Sequence, residues 1–334
     1  MNDLIKQLTE TWGPSGYEHR VRALIKQHAE PYADEITTDP LGNLICRVGK
    51  GGKKVMIAAH MDEIGLIATF RRAESGYLRF TPVGGLLQST LFGGRVRFED
   101  GTVGVIGVHD AWGVGRTTVT EYDSFFIDVS LGNGNGNSGS VREGSPAGFD
   151  RTMEQRGTRL IGKAMDDRIG CVVALEAMKR LNKQTPNELY FVFTVQEEVG
   201  LRGARTSAYT VDPDVAIALD VTSSGDLTHN PKMAVRLGGG AAIKLHDAGL
   251  VVPPAVRDWM IARAEADGIP YQRELLTLGT TDAAAAQSVR SGVPSGCISI
   301  PCRYVHTTSE TVDTNDVEAC IKLLTGLLAN PVTI

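Results

Sequence analysis

The sequence predicts an α/β protein in which a mostly parallel sheet, flanked by helices, is interrupted by a small inserted all-β domain. Two patterns carry this reading. From Leu160 onward, apolar strand-like runs alternate with segments of helical period, the rhythm of a sheet covered on both faces. Between about Ala68 and Thr158 no helical period survives, and short runs such as YLRFTPV, RVRFED, TVGVIGV and FFIDV are separated by glycine-rich turns. At 334 residues the chain exceeds one small core, so about two domains are expected. Residues 1–67 and 159–334 are assigned to one discontinuous domain and residues 68–158 to the insertion.

Taken in order, MNDLIKQLTETWG reads as a short amphipathic helix, and the GPSGYE turn leads to a second helix in which Val21, Leu24 and Ile25 mark one face. EITTD and NLICRV, joined by PLG, form an expected hairpin before the strand VMIAA. Within the insertion, LGNGNGNSGSVREG reads as a mobile loop rather than a phosphate cradle, because no helix follows it directly. Beyond it, DDRIGCVVALEAMKRL is a helix with Ile169, Val172, Leu175, Met178 and Leu181 on one face. ELYFVFTVQEE and VAIALDVTSSGD are strands, AVRDWMIARAEADG a helix, SGCISIPCRYVH a strand and TNDVEACIKLLTGLL the closing helix.

A hydrophobic content of 42%, a charged content of 22% and a formal net charge of -5 describe an ordinary globular chain and exclude nucleic acid or an anionic membrane as the main partner. The N-terminus has no apolar signal core and no run is long enough to span a bilayer, so a cytoplasmic location is expected. Cys46, Cys171, Cys297, Cys302 and Cys320 are scattered among apolar neighbours and read as buried thiols in a reducing compartment.

The segment VMIAAHMDEIG poses the functional question, since buried strands rarely end on a histidine and two acids. Ligands of open α/β sheets gather beyond the carboxyl ends of the strands. VMIAA ends in His60, FVFTVQ in Glu197 and Glu198, VAIAL in Asp220 and ISIPCRYV in His306, and KAMDDRIG adds an acidic pair at a helix mouth. Two histidines among carboxylates suit zinc or cobalt. His60, Asp220, Glu198 and His306 supply ligands for two ions per subunit, and Asp166 could bridge them. Two such ions share an activated water, and a hydroxide between them is the expected nucleophile. Asp62 is expected to orient His60. Adjacent strand residues point to opposite sides, so Glu198 is read as a ligand and Glu197 as the general base.

AHMDEIG, GKAMDDRIG, VQEEVG, ALDVTSSGD, LGTTDAA and IPCRYVHTTSE occur in the order and approximate spacing of the M42 metallo-aminopeptidases, the glutamyl-aminopeptidase and tetrahedral-aminopeptidase group, which the chain resembles over nearly its whole length. The resemblance implies a zinc-peptidase-like fold, with His60 and Asp220 on one metal, Glu198 and His306 on the other, and Asp166 bridging. It implies a cis peptide between Asp166 and Asp167, and it places Asp62 and Glu197 on the family's catalytic positions. It also implies short peptide substrates, a dimerising role for the insertion and a homo-oligomer of dimers assembled into a dodecameric tetrahedral shell. GNGNGNSG is richer in glycine and asparagine than the family pattern.

His60 or His306 alone is more often structural than a ligand; their joint placement beside acids reverses that. Glu197 and Glu198 fit a glycosidase poorly, because such enzymes need carboxyl groups facing each other across about 5–9.5 Å. His109, His229 and His246 read as ordinary residues, and Asp282 as shaping a loop near the pocket. The competing readings are a related two-metal deacylase or carboxypeptidase, and a catalytically silent assembly protein. Nothing in the sequence selects an N-terminal residue, or decides among zinc, cobalt and manganese.

Overall fold

The computed structural model describes residues 1–71, 77–109, 121–129, 141–227 and 233–334. Helices α1 (Asn2–Glu10) and α2 (His19–Ala29) lead into the hairpin β1 (Glu35–Thr38) and β2 (Leu44–Val48), then β3 (Lys54–His60). A closed barrel follows, built from β4 (Gly65–Arg71), β5 (Leu78–Val83), β6 (Arg95–Phe98), β7 (Val103–Val108), β8 (Phe125–Asp128) and β9 (Pro146–Phe149). The chain returns through β10 (Glu154–Arg156) and β11 (Arg159–Gly162) to α3 (Met165–Leu181), β12 (Glu188–Thr194), α4 (Arg202–Val211) and β13 (Val215–Ser223). It ends with β14 (Ala241–His246), α5 (Pro254–Ala266), β15 (Tyr271–Leu275), α6 (Asp282–Gln287), β16 (Ser295–Arg303), β17 (Glu310–Asp313) and α7 (Thr314–Leu328).

The large sheet runs β1-β2-β12-β3-β13-β16-β17-β11-β10, with β14 also beside β16 and β15 beside β14. Its parallel character is only partial, which corrects the expectation of a mostly parallel sheet. β12, β3, β13 and β16 are parallel neighbours, as are β14 and β15. The flanks β1, β2, β17, β11 and β10, and the β14–β16 pair, are antiparallel. Connection length explains much of this: β1–β2, β10–β11 and β16–β17 are joined by links too short for the crossover that parallel pairing requires.

The central strands are apolar on both faces because both are covered. Along β3, Val55, Ile57 and Ala59 enter the core packed by α1, α2, α3 and α7, while Met56 and Ala58 enter the core beneath α4 and α6. This is the two-residue alternation of a pleated strand. The barrel has its own core, including Leu66, Leu78, Phe80, Val96, Phe98, Ile106, Phe125 and Ile127, and closure removes the unpaired edges an open sheet would expose. Trp12 ties the N-terminal segment to it, its indole N–H donating to the Arg97 carbonyl at 2.9 Å. The glycine- and asparagine-rich loop at 132–140 and His229 lie outside the described residues. The five cysteines are buried and unpaired.

A buried ion cluster holds the N-terminal segment against the start of α3. Glu63 accepts from Lys163 Nζ at 2.6 Å and from the Gly13 amide at 3.0 Å, and lies 3.6 Å from Arg168. Arg168, wholly buried, donates to the carbonyls of Leu8, Thr11 and Gly13. Glu63→Ala would leave both cations without their counterion in a low-dielectric site. It is expected to cost about 3–5 kcal/mol, read as a lower urea midpoint; an unchanged midpoint would show that the cluster contributes nothing.

Candidate metal centre

Because β12, β3, β13 and β16 run in one direction, their carboxyl ends share one edge of the sheet, where open α/β sheets form their sites. His60 is the last residue of β3. The other placements differ in detail from those expected. Asp220 lies within β13, three residues before its end; Glu197 and Glu198 follow β12 in a loop; His306 sits in the turn after β16. The pleat therefore does not separate Glu197 from Glu198. The loop does, turning on Gln196 at φ 56°, and His306 itself has φ 63°, conformations uncommon for side-chain-bearing residues and concentrated at functional sites. Asp166 and Asp167, joined by a cis peptide, sit with non-helical torsions at the start of α3.

These side chains converge. His60 Nε2 is 3.0 Å from Asp166 Oδ1, 3.8 Å from Glu197 Oε2 and 4.0 Å from Asp220 Oδ1. On the other side of Asp166, Oδ2 is 3.4 Å from His306 Nε2, which is 3.3 Å from Glu198 Oε2. Two sets of donor atoms, His60 with Glu197 and Asp220, and His60 with Asp166 and Glu198, each lie within 4.8 Å of one another, a spacing that could hold a metal ion. The barrel closes on this cluster through Gly84 and Gly85. A Cβ at Gly85 would stand 2.9 Å from His306 Nδ1, and one at Gly84 would stand 3.1 Å from Glu198 Oε2, so the close approach needs residues without side chains.

Outer groups fix the inner ones. The His60 Nδ1 atom is 3.2 Å from the Asp62 carbonyl and 3.4 Å from its carboxylate. That carboxylate accepts from Ser15 Oγ at 2.6 Å, the Glu197 amide at 3.0 Å and the Glu198 amide at 3.2 Å, so Asp62 clamps the Glu197–Glu198 loop as well as facing the imidazole. Sequence reasoning gave no role to Asp167, which accepts from the His60 and Gly170 amides. Nor did it give one to Glu310, which accepts from the amides of Asp166 and His306 at 3.0 and 2.8 Å and so joins the two backbones. Both lie inside motifs that were recognised, DDR and HTTSE; acids so close to ligand candidates were the available signal. Asp282 opens α6 and accepts from Thr194 Oγ1 at 2.5 Å, a place consistent with its expected role near the pocket.

The electrostatics suit cations. Burial and the like charge of Asp220, Asp282 and Glu198 push the Glu197 carboxyl well above its usual range against the pull of His60. Burial and Asp166 push up Asp220, and they raise Glu310 to about 8. Asp62 goes the other way: burial raises it, but hydrogen bonds from His60, Ser15 and the Glu197 amide hold it lower than usual. Among the described residues, Glu198 Oε1 is buried with no hydrogen-bond partner. A buried oxygen left unpaired beside clustered carboxylates is what an oxygen-binding cation satisfies, so the residues present fit a metal. A cavity of about 830 Å³ opens over them, lined by Asp166, Glu197, Glu198, Asp220 and His306 together with Leu201, Val221, Leu276 and Leu278.

Known proteins resemble this chain over most of its length. The family model described as M42 glutamyl aminopeptidase matches residues 42–323. The lysyl aminopeptidase of Pyrococcus furiosus is 36% identical over 98% of this chain and 96% of its own. The aminopeptidase APDkam598 from the archaeon Desulfurococcus kamchatkensis superposes with a TM-score of 0.92 at 40% identity, covering 98% of this chain and 94% of that one. The TET1 peptidase of Pyrococcus horikoshii, which can assemble into a tetrahedron or a large octahedral shell, has a TM-score of 0.86 at 32% identity over 98% of both chains.

Asp62→Asn tests the clamp. An amide nitrogen would replace one acceptor oxygen against two backbone N–H donors and a hydroxyl, so the Glu197–Glu198 loop should shift. A 10–100-fold weaker metal affinity is expected, with a larger proportional loss of turnover, measured as metal content alongside kinetics. Wild-type values for both would show that Asp62 fixes nothing here.

Proposed function

The chain belongs to the M42 glutamyl aminopeptidase family of peptide-bond hydrolases, and from that premise we propose that it removes N-terminal residues from short peptides with two divalent ions, zinc or cobalt, per subunit. His60 and Asp220 would hold one ion and Glu198 and His306 the other, with the Asp166 carboxylate available to both. The observation that carries this reading is the division of the Asp166 carboxylate: one oxygen faces His60 and the other faces His306 beside Glu198. A single-ion site has no need of that division.

When bound, such ions supply Lewis acidity, activating a water and polarising the scissile carbonyl. The protein's own part is placement and proton transfer. Glu197 Oε2 takes the proton of the attacking water and delivers it to the leaving amine. Asp62 holds the Glu197 amide and faces His60, so the base and the imidazole keep one relative position. Acid side chains of the centre receive the peptide's free amine.

The segment 68–158 serves as a dimerising insertion in a discontinuous domain arrangement, and the dimers build a dodecamer; the tetrahedral assembly of the Pyrococcus horikoshii TET1 peptidase supports this. A cytoplasmic site fits the buried free cysteines. No described helix is long and apolar enough to cross a membrane.

Glu197→Gln should keep both metals by elemental analysis while lowering kcat by about 10²–10⁴-fold; unchanged turnover would reject the general-base role. Free and N-acetylated peptides compared on the wild-type protein separate an aminopeptidase, which needs the free amine, from a deacylase or carboxypeptidase.

A further inference from the structure

The charged side chains lining the 830 Å³ cavity are Asp166, Glu197, Glu198, Asp220 and His306, all of the centre itself. Beyond them the described wall is built largely of Leu201, Val221, Met233, Leu276, Leu278 and Val305, with no lysine or arginine and no further acid. Three of the wall's hydroxyls are turned to its own support: Thr222 Oγ1 donates to Glu274 at 2.7 Å, Thr280 Oγ1 to Asp247 at 2.9 Å, and Thr281 Oγ1 accepts the Ala283 amide, while Ser223 and Thr277 add two small neutral hydroxyls to the lining.

The wall is also held in place. Lys244, Glu274 and Asp247 are wholly buried; Lys244 pairs with Glu274 and lies 3.6 Å from Asp247. Leu276 donates its amide to the His246 carbonyl at 3.0 Å, and the Ala248 amide donates to Gly279 at 3.0 Å. The leucine-bearing segment between β15 and α6 is thus tied at several points to β14 and the turn that follows it, and it presents a prepared surface. Lys244, Glu274 and Asp247 lie behind the wall and are absent from the cavity lining, although one oxygen each of Glu274 and Asp247 is buried without a hydrogen-bond partner.

We infer that this wall receives an uncharged, apolar side chain, so that the chain prefers leucine- or methionine-like N-terminal residues over acidic or basic ones; this rests on the aminopeptidase reading above. A glutamyl side chain entering here would meet the acids of the centre and, among the described residues of the lining, no lysine or arginine. Among the described residues of the lining a lysyl side chain would find no acid outside the centre, whose acids would be taken up by the metals and the peptide amine. Either charge would lose its water without compensation, whereas an aliphatic side chain gains by leaving water. The preference differs from the substrates named for the family model and for the Pyrococcus furiosus relative.

The test uses the metal-loaded, full-length protein and a panel of 4-nitroanilides of leucine, methionine, alanine, glutamate and lysine. The expected kcat/KM for leucine and methionine exceeds that for alanine by at least about 10-fold and those for glutamate and lysine by about 100-fold. Glutamate or lysine equal to or above leucine overturns the inference while leaving the aminopeptidase reading intact. Leu276→Glu, placed in the wall and outside the centre, should raise the lysine-to-leucine ratio by about 10-fold or more; an unmoved ratio means that this wall does not read the side chain. Should no free-amine substrate be cleaved while acylated peptides are, the aminopeptidase reading falls. Calorimetric binding of L-leucine, L-glutamate and L-lysine then decides the pocket's preference, and charged ligands binding as tightly as leucine overturn it.

Discussion

Carboxylates crowded into a buried space repel one another, and the rest of this structure is arranged around that constraint. Asp166, Asp167, Glu197, Glu198 and Asp220 lie at the carboxyl edge of the central strands, and among the described residues His60 and His306 are the basic groups paired with them. Isolated buried charge costs several kcal/mol per ion even after relaxation. Hydrogen bonds relieve part of that cost at Asp62 and Asp167, but Glu198 keeps an unpaired buried oxygen. Positive charge supplied between the two imidazoles would relieve the repulsion, and the two oxygens of the Asp166 carboxylate face the two imidazoles.

Holding such groups together requires a frame that does not yield. The parallel core of β12, β3, β13 and β16 supplies it, with helices sealing both faces. Around it stands a layer of acids whose acceptors are filled by backbone amides: Asp62 on the Glu197–Glu198 loop, Asp167 on His60, Glu310 on Asp166 and His306. Each fixes a ligand candidate through its main chain, leaving that residue's side chain to face the centre. The barrel completes the enclosure with a glycine pair that approaches His306 and Glu198.

Much of this was legible because polar residues interrupt apolar runs. His60 closing VMIAA and Asp220 inside VAIALDV are conspicuous against strands buried on both faces, and a run without helical period announced the barrel strands. Strand direction was less legible, since pairing depends on which distant segments meet; the antiparallel pairs β2–β12, β11–β17 and β14–β16 join segments far apart in sequence. The separation of Glu197 from Glu198 was argued from strand alternation, yet β12 ends at Thr194 and a loop places both. The roles of Glu310 and Asp167 were not legible because their work is to accept backbone N–H groups, and nothing in a side chain's identity reveals which amides it will meet. The cavity wall escaped for a similar reason: Leu276 and Leu278 lie on a segment whose course is set by buried ties to β14 and the turn after it.

The most direct measurement is anomalous scattering from crystals of the protein loaded with zinc. Two peaks flanking the Asp166 carboxylate, one beside His60 and Asp220 and the other beside Glu198 and His306, are the predicted result. A single peak, or none within reach of Asp166 at saturating zinc, would contradict the account.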